Sequence, residues 1–308
     1  MIPTEPIMAV WEAAVLGLVE GITEYLPVSS TGHLIITASL LGLDEPAEAK
    51  AAVDAFNIVV QGGAILAVLG LYRVRVVQML AGLVGKDAAG LRLALNIIVA
   101  FVPAAVLGFL LNDWIEDRLF NPTAVLTALA VGGVFMIALD RAKIRPMRRA
   151  DAKAEAGENV PDSERGHEIE ELGWRGALIV GFLQTIAMWP GTSRSMMTIA
   201  GGVLVGLRPK AAAEFSFLLG LPTLGGACVY SLYRNLTESE KAGTPNMFEV
   251  LGVVPIVVGL VVATLSAAVA VKWLVGFLNT HGLEPFGWYR LALCVVLGGL
   301  LAGGVVSF

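Results

Sequence analysis

Charge is what this sequence has least of. Only 15% of its 308 residues are charged and 56% are hydrophobic, against about 25% charged in a soluble domain. With a mean hydropathy of +0.75, that balance excludes an ordinary soluble domain and fits an integral membrane protein. The 35 glycines agree, since glycine is more frequent in membrane helices than in soluble ones. The net charge of −5 carries no basic excess, which argues against nucleic acid as a partner. Cysteine is nearly absent. Cys228 and Cys294 both sit in apolar segments, where buried thiols are expected rather than a disulfide or a metal site. Residues 1–12 contain no Lys or Arg, so the positive region of a cleavable signal is missing and the first helix is expected to belong to the mature protein.

What the chain does have is long apolar runs. A spanning helix needs about 20 apolar residues, and six segments reach or approach that length: 55–72, 93–111, 121–139, 211–233, 247–275 and 288–307. Two other stretches are interrupted. Residues 8–26 and 31–43 flank Pro27 and a run of hydroxyls; residues 174–188 and 195–207 flank Pro190-Gly191. Each second piece is too short to span, which predicts two re-entrant helical hairpins, 8–43 and 174–207. Tight hairpins that cross the bilayer are the alternative. The expected fold class is an all-α integral membrane protein, with six transmembrane helices plus two re-entrant helical hairpins.

Loop charge orients the chain. Arg73, Arg75, Lys86 and Arg92 in loop 73–92, and Arg141, Lys143, Arg145, Arg148, Arg149 and Lys153 in loop 140–153, read as cytoplasmic,. The mostly acidic loops 44–54, 112–120 and 236–249 read as outside, which places both termini outside. The first hairpin then enters from the outer face and the second from the cytoplasmic face. Each half is a hairpin plus three spans, an odd number, so the single membrane domain 1–308 is expected to be an inverted-topology repeat. Its first repeat is 1–140 and its second 173–308. The segment 141–172 between them reads as a solvated cytoplasmic connector, whose basic part would attract lipid headgroups. Leu26-Pro27-Val28-Ser29-Ser30 echoes Trp189-Pro190-Gly191-Thr192-Ser193, and Phe56 and Phe215 each begin a following span. Inverted repeats bring the polar breaks of both halves to one central site.

The breaks hold the chemistry. Ionisable groups at membrane depth are costly and mark sites that bind or react. Glu20 and Glu24 are four residues apart and share a helix face. They would repel unless protonated, paired or bridged by a hard divalent cation such as Mg2+ or Ca2+; one could instead serve as a general base. Ser29, Ser30 and Thr31 stand where a helix begins, and its unpaired N–H groups and dipole suit an anion. His33 falls in that first turn. The second break repeats the hydroxyls as Thr192, Ser193 and Ser195 and adds Arg194, whose fork matches a phosphate or, failing that, one of the glutamates. Gln184 takes the place of Glu20. Asn57, Gln61, Glu214 and Ser216 are weaker candidates, and His167 and His281 fall in predicted loops.

At this point a resemblance can be stated. Glu20-Gly21-Ile22-Thr23-Glu24-Tyr25-Leu26-Pro27-Val28-Ser29-Ser30-Thr31-Gly32-His33 closely resembles the first signature of bacterial undecaprenyl-diphosphate phosphatases, also called bacitracin resistance proteins. Trp189-Pro190-Gly191-Thr192-Ser193-Arg194-Ser195 resembles their second, and Glu214-Phe215-Ser216-Phe217-Leu218-Leu219 is similar to a third stretch. The resemblance implies a multi-pass protein of the bacterial inner membrane. It implies hydrolysis of undecaprenyl diphosphate to the monophosphate and phosphate, which recycles the carrier for cell-wall synthesis and confers bacitracin resistance. It also implies a divalent cation, with Glu20 and Glu24 handling metal or protons. Ser30 then matches a proposed nucleophile, His33 an acid/base and Arg194 a phosphate clamp, with Ser29, Thr31, Thr192, Ser193 and Ser195 around the phosphates. Attack by water, with Ser30 only binding, stays open. The expected partners are the lipid diphosphate and the bilayer, and a homodimer is allowed. The rival class is a lipid-phosphate flippase or anion transporter using the same site, since inverted repeats and broken helices are also a transporter pattern. Phosphatases related to phosphatidic acid phosphatases need a histidine several residues after a Ser-Arg pair; here Ser193-Arg194 is followed by Ser195-Met196-Met197-Thr198-Ile199-Ala200-Gly201.

Overall fold

The computed structural model describes residues 7–43 and 47–306, without the side chains of 47–49, 112, 113, 116 and 117. The reading of residues 1–6, the loop tip 44–46 and residues 307–308 lies outside the described residues. Thirteen α-helices follow one another among them: α1 Val10–Thr23, α2 Ser30–Leu40, α3 Ala47–Leu71, α4 Arg73–Leu83, α5 Ala88–Leu119, α6 Pro122–Leu139, α7 Arg145–Glu155, α8 Trp174–Ile186, α9 Arg194–Leu204, α10 Pro209–Ala242, α11 Met247–Leu251, α12 Val253–Thr280 and α13 Glu284–Ala302. Six are long and apolar enough to cross a membrane: α3, α5, α6 with its continuation into α7, α10, α12 and α13. They coincide with the six expected segments. Large apolar side chains such as Leu66, Phe109, Val131, Val229, Leu265 and Val295 are exposed on them, as a helix facing lipid requires.

The chain forms two compact units, and each draws on both halves of the sequence. The first comprises Met1–Leu71, Gly220–Val271 and Leu297–Phe308; the second comprises Tyr72–Leu219 and Lys272–Val296. In the first unit α1 packs on α2 and α3, around a core that includes Leu16, Leu34, Phe56, Val60, Leu251 and Ala263. Gly17 lies against the Gly259 carbonyl of α12, and Gly21 lies against Ala263 and Ser266. Small residues let membrane helices approach this closely, and packing rather than water exclusion holds such helices together. In the second unit α8 packs on α5 and α9, and α9 on α6. Gly181 of α8 lies against the backbone of Ala100 in α5. Each hairpin thus lies on a span that comes from the other half of the sequence.

Three expectations need correction. The connector 141–172 is not a bare solvated loop. A π-helical turn, Asp140–Ile144, carries α6 directly into α7, and Ile144, Met147, Ala150, Ile169 and Leu172 are buried. Buried Asp140 accepts from the backbone N–H groups of Leu283 and Glu284, satisfying the start of α13,. Arg141 and Arg145 pair with Glu284. The connector is pinned further along by Arg208, which pairs with Asp151 at 3.1 Å and Glu168 at 2.7 Å, and by a bridge between His167 and Leu207. Arg75 of α4 holds Glu170 at 2.6 Å and Glu214 at 2.7 Å. Partial burial alone would raise the Glu170 carboxyl; its own backbone N–H and then the Arg75 guanidinium outweigh that and hold it below the usual carboxylate range,.

The loops are also shorter than expected. Residues 73–83 are helical, α5 runs through 112–119, and α10 runs to Ala242. For α4 packing decided this: Gly82 and Gly90 bring α4 and the start of α5 into backbone contact, so a helix forms where the charges of 73–92 suggested a loop. The third correction is the register of the echo between the hairpins, off by one residue, and it follows from the site itself.

Candidate functional site

The first break grows out of α1. Helical geometry persists to Glu24, whose N–H donates to the Glu20 carbonyl at 2.9 Å. The two carboxylates therefore sit one turn apart on one face, as the spacing requires. Both are buried, Glu20 completely. Beyond the turn, Ser29 has φ of 74°, a conformation rare for a residue with a side chain and costing of order 1–3 kcal/mol. That kink lets α2 start at Ser30. It also delivers the chemistry: the Ser30 hydroxyl donates to Glu24 Oε2 at 2.8 Å. His33 Nδ1 lies 2.7 Å from the Ser29 carbonyl oxygen. A carbonyl can only accept, so Nδ1 carries the proton and Nε2 is the basic nitrogen of the neutral ring. Thr31 is half-buried in the same first turn. The Ser29 hydroxyl is buried and has no hydrogen-bond partner among the described residues.

The second break repeats this backbone in the second unit. Ser193 has φ of 75° and precedes α9, which like α2 is 11 residues long. Ser29 therefore matches Ser193, and by the same offset Gly17 matches Gly181, Glu20 matches Gln184 and Ser30 matches Arg194. The echo Leu26–Ser30 on Trp189–Ser193 was one residue out of register, because it aligned the two prolines, whereas the kinked serines set the frame. Ser193 Oγ accepts from Met196 N at 3.3 Å and shares a 3.0 Å hydrogen bond with Ser195 Oγ. Arg194 Nη1 donates to the Ser216 carbonyl at 2.9 Å. Thr198 ties that corner together, donating to the Arg194 carbonyl at 2.9 Å and sharing a 2.6 Å contact with Ser216 Oγ. Buried Thr192 closes a turn onto the Trp189 carbonyl.

Glu20, Glu24, Ser29, Ser30, Thr31 and His33 are thus gathered in the first unit, and Thr192, Ser193, Arg194 and Ser195 in the second. Ser29 differs from the capping expectation: it makes no side-chain cap, whereas Ser193 does. Glu214 is an ion-pair partner of Arg75. Cys228 and Cys294 are free thiols that donate to the carbonyls of Ile58 and Leu126. His167 faces Glu171 and His281 stacks on Phe277. One residue escaped the sequence reading. Arg290 is fully buried, and its Nη2 donates to the carbonyls of Gly191 at 2.7 Å and Ala128 at 2.9 Å. The signal was available, since Arg290 is the one charged residue inside the apolar run 288–307,.

Chemically, a carboxylate accepting from a serine hydroxyl at this distance is placed to take its proton. Among the described residues no group of three or more His, Cys, Asp or Glu side chains forms a complete metal cage. Two buried carboxylates one turn apart at the end of α1 and the Ser30 hydroxyl at the start of α2 are oxygen donors of the kind Mg2+ and Ca2+ use, with one or two carboxylates supplemented by substrate phosphate and water. That donor set fits a hard divalent cation held jointly with an anionic substrate.

The family described as bacitracin resistance protein BacA matches residues 13–296. Among curated relatives, the undecaprenyl-diphosphatase of Cupriavidus metallidurans is 41% identical over 304 residues, covering 96% of this chain and 97% of the relative. Undecaprenyl-diphosphatase 2 of Rhodospirillum rubrum is 42% identical over 300 residues with the same coverage. The undecaprenyl-diphosphatase of Sorangium cellulosum is 43% identical over 283 residues, covering 92% of this chain and 83% of the relative.

Proposed function

The chain belongs to the bacitracin resistance protein BacA family, and from that premise we propose that it hydrolyses undecaprenyl diphosphate to undecaprenyl phosphate and inorganic phosphate. It is a multi-pass membrane enzyme with a lipid substrate, and bacitracin resistance follows from its recycling of the carrier. The observation that carries the chemistry is the 2.8 Å hydrogen bond from Ser30 to buried Glu24, set at the first turn of a helix by the kink at Ser29.

In this reading Arg194 clamps the diphosphate and neutralises charge that grows in the transition state. Ser30 attacks the terminal phosphorus and passes its proton to Glu24, while the bridging P–O bond breaks and undecaprenyl phosphate leaves. His33, whose Nδ1–H donates to the Ser29 carbonyl, uses Nε2 to take or return a proton. The N–H groups that open α2 and α9, with Ser29, Thr31, Thr192, Ser193 and Ser195, accommodate phosphate oxygens. Glu20 and Glu24 would hold a divalent cation, Mg2+ or Ca2+, which when bound supplies charge neutralisation at the phosphates. Water then releases phosphate and restores Ser30.

The membrane arrangement that goes with this is an inverted repeat with two re-entrant hairpins and both termini outside, in the inner membrane. Three likenesses support it: the shared kink at Ser29 and Ser193, the equal lengths of α2 and α9, and the reciprocal packing of Gly17 on Gly259 and Gly181 on Ala100. The apolar flanks that face lipid would also carry a second copy in a homodimer.

Phosphate release from a prenyl diphosphate by the purified protein in detergent, with and without a chelator, tests the reading. Chelator-sensitive release that disappears in Glu24→Gln and Arg194→Ala supports it. A folded wild type that binds the lipid but releases no phosphate would make the protein a lipid or anion carrier instead.

A further inference from the structure

Arg290 stands apart from every other cation in the second unit. It is fully buried in α13, and its Nε and Nη1 have no hydrogen-bond partner among the described residues. Nη2 alone joins two backbones, donating to the carbonyl of Ala128 in α6 and to that of Gly191 in the second break. The space for it is made by glycine: a Cβ at Gly132 would lie 2.6 Å from Nη2 and 3.0 Å from Met196 Sδ, in the first turn of α9. The guanidinium is therefore held close to the start of α9, at the carbonyl of Gly191, which lies two residues before Ser193 and three before Arg194. Trp189 adds a second tether to the same helix, its Nε1 donating to the Ala124 carbonyl at 3.0 Å.

A tether needs no charge, as Trp189 demonstrates with a neutral N–H. A buried cation without an acidic partner is costly, and its position makes it more so. The N-terminus of α9 already carries the positive end of the helix dipole, so a cation beneath it is unfavourable for the helix itself. Both costs are offset if an anion sits at that helix start. Resting on the diphosphatase reading, we propose that Arg290 is a positioning residue of the phosphate-binding break: it holds the Gly191 carbonyl against α6, so that the Ser193–Arg194 start of α9 faces the anion, and it adds an un-neutralised positive charge beneath it.

The test compares Arg290→Gln, Arg290→Lys and Gly132→Ala with wild type, reading kcat and KM for a prenyl diphosphate, inhibition by inorganic diphosphate, and the melting temperature in detergent. Glutamine keeps an N–H donor for the two carbonyls and removes the charge. Arg290→Gln is expected to melt near wild type, to lose roughly 10- to 100-fold in kcat/KM and to be inhibited less by diphosphate. Arg290→Lys, which keeps the charge, is expected to recover most of that loss. Gly132→Ala crowds the guanidinium while leaving the charge in place, and is expected to lower kcat with little change in KM. Arg290→Gln within twofold of wild type in both turnover and diphosphate inhibition would overturn the proposal, as would equal impairment of the Gln and Lys variants. Should Arg290→Gln not fold, Gly132→Ala decides the matter, and wild-type turnover in it overturns the positioning role. Inactive wild type would sink the diphosphatase reading alone, because diphosphate binding by wild type and Arg290→Gln still reports on Arg290.

Discussion

The two hairpins have one backbone and two chemistries. Both run from a glycine-faced helix through a break to a serine with φ near 75° and then an 11-residue helix. The first fills its frame with Glu20, Glu24, Ser30 and His33, groups that accept and return protons. The second fills the same frame positions with Gln184, Met188, Arg194 and Met197, which leaves one cation among neutral side chains. The strained serine is used differently as well. Ser193 caps its helix, whereas the buried Ser29 hydroxyl caps nothing. The comparison teaches that one kinked backbone starts a helix in both breaks, and that in the proposed function side chains alone would make the first a proton-handling site and the second an anion clamp.

The largest effect that would sharpen this contrast is at the frame position shared by Ser30 and Arg194. On the proposed mechanism Ser30→Ala is expected to lower kcat by about 10³-fold or more, since it would remove the attacking oxygen. Arg194→Ala is expected to lose about 10²- to 10³-fold through lost charge stabilisation. Steady-state phosphate release reads both, and near-full turnover in Ser30→Ala would leave attack to water. The kinked serines provide the next contrast. Ser193→Ala is expected to lose about 1 kcal/mol of stability with its cap. Ser29→Ala loses no cap and relieves a buried unsatisfied hydroxyl, so its stability should hold or rise by up to about 1 kcal/mol. Equal destabilisation of the two in denaturant melts would break the comparison.

The smallest effect lies on the connector. The Glu170 carboxyl is held below its ordinary value of 4.5, so its ion pair with Arg75 contributes fully above that pH. The contribution is lost as pH falls through the lower folded value. Glu170 is about half exposed, so the amount is below about 1 kcal/mol. Hydrogen-exchange protection factors at residues 169–172, which correct for the intrinsic pH dependence of exchange, should fall as pH falls through that window, and Arg75→Ala should remove this change.

Much of this was legible residue by residue. The six spans coincide with six apolar runs, and the polar islands at Glu20–His33 and Trp189–Ser195 mark both breaks. The connector was not legible, because Met147, Ile169 and Leu172 show no helical periodicity and are buried by surfaces distant in sequence. The one-residue register between the hairpins was hidden by Pro27 and Pro190, which suggested a match that the backbone does not use. Arg290 was visible as a charge in an apolar run, but its partners are two carbonyls, and carbonyls carry no sequence signature.

What the sequence alone settled is therefore the helical, membrane-spanning class and the inventory of reactive groups. Both depend on local facts: in lipid a backbone must satisfy its own hydrogen bonds within about 20 apolar residues, and a carboxylate or guanidinium among them is evident without a partner. Only the tertiary structure decided the positive φ at Ser29 and Ser193, the placing of each hairpin on a span from the other half, and the burial of Arg290 beneath α9. Those features are held by close approaches at Gly17, Gly132 and Gly181, between residues far apart in the chain. Such contacts overrule local preference because dense packing in the membrane leaves a kinked turn or a buried cation no other place to go.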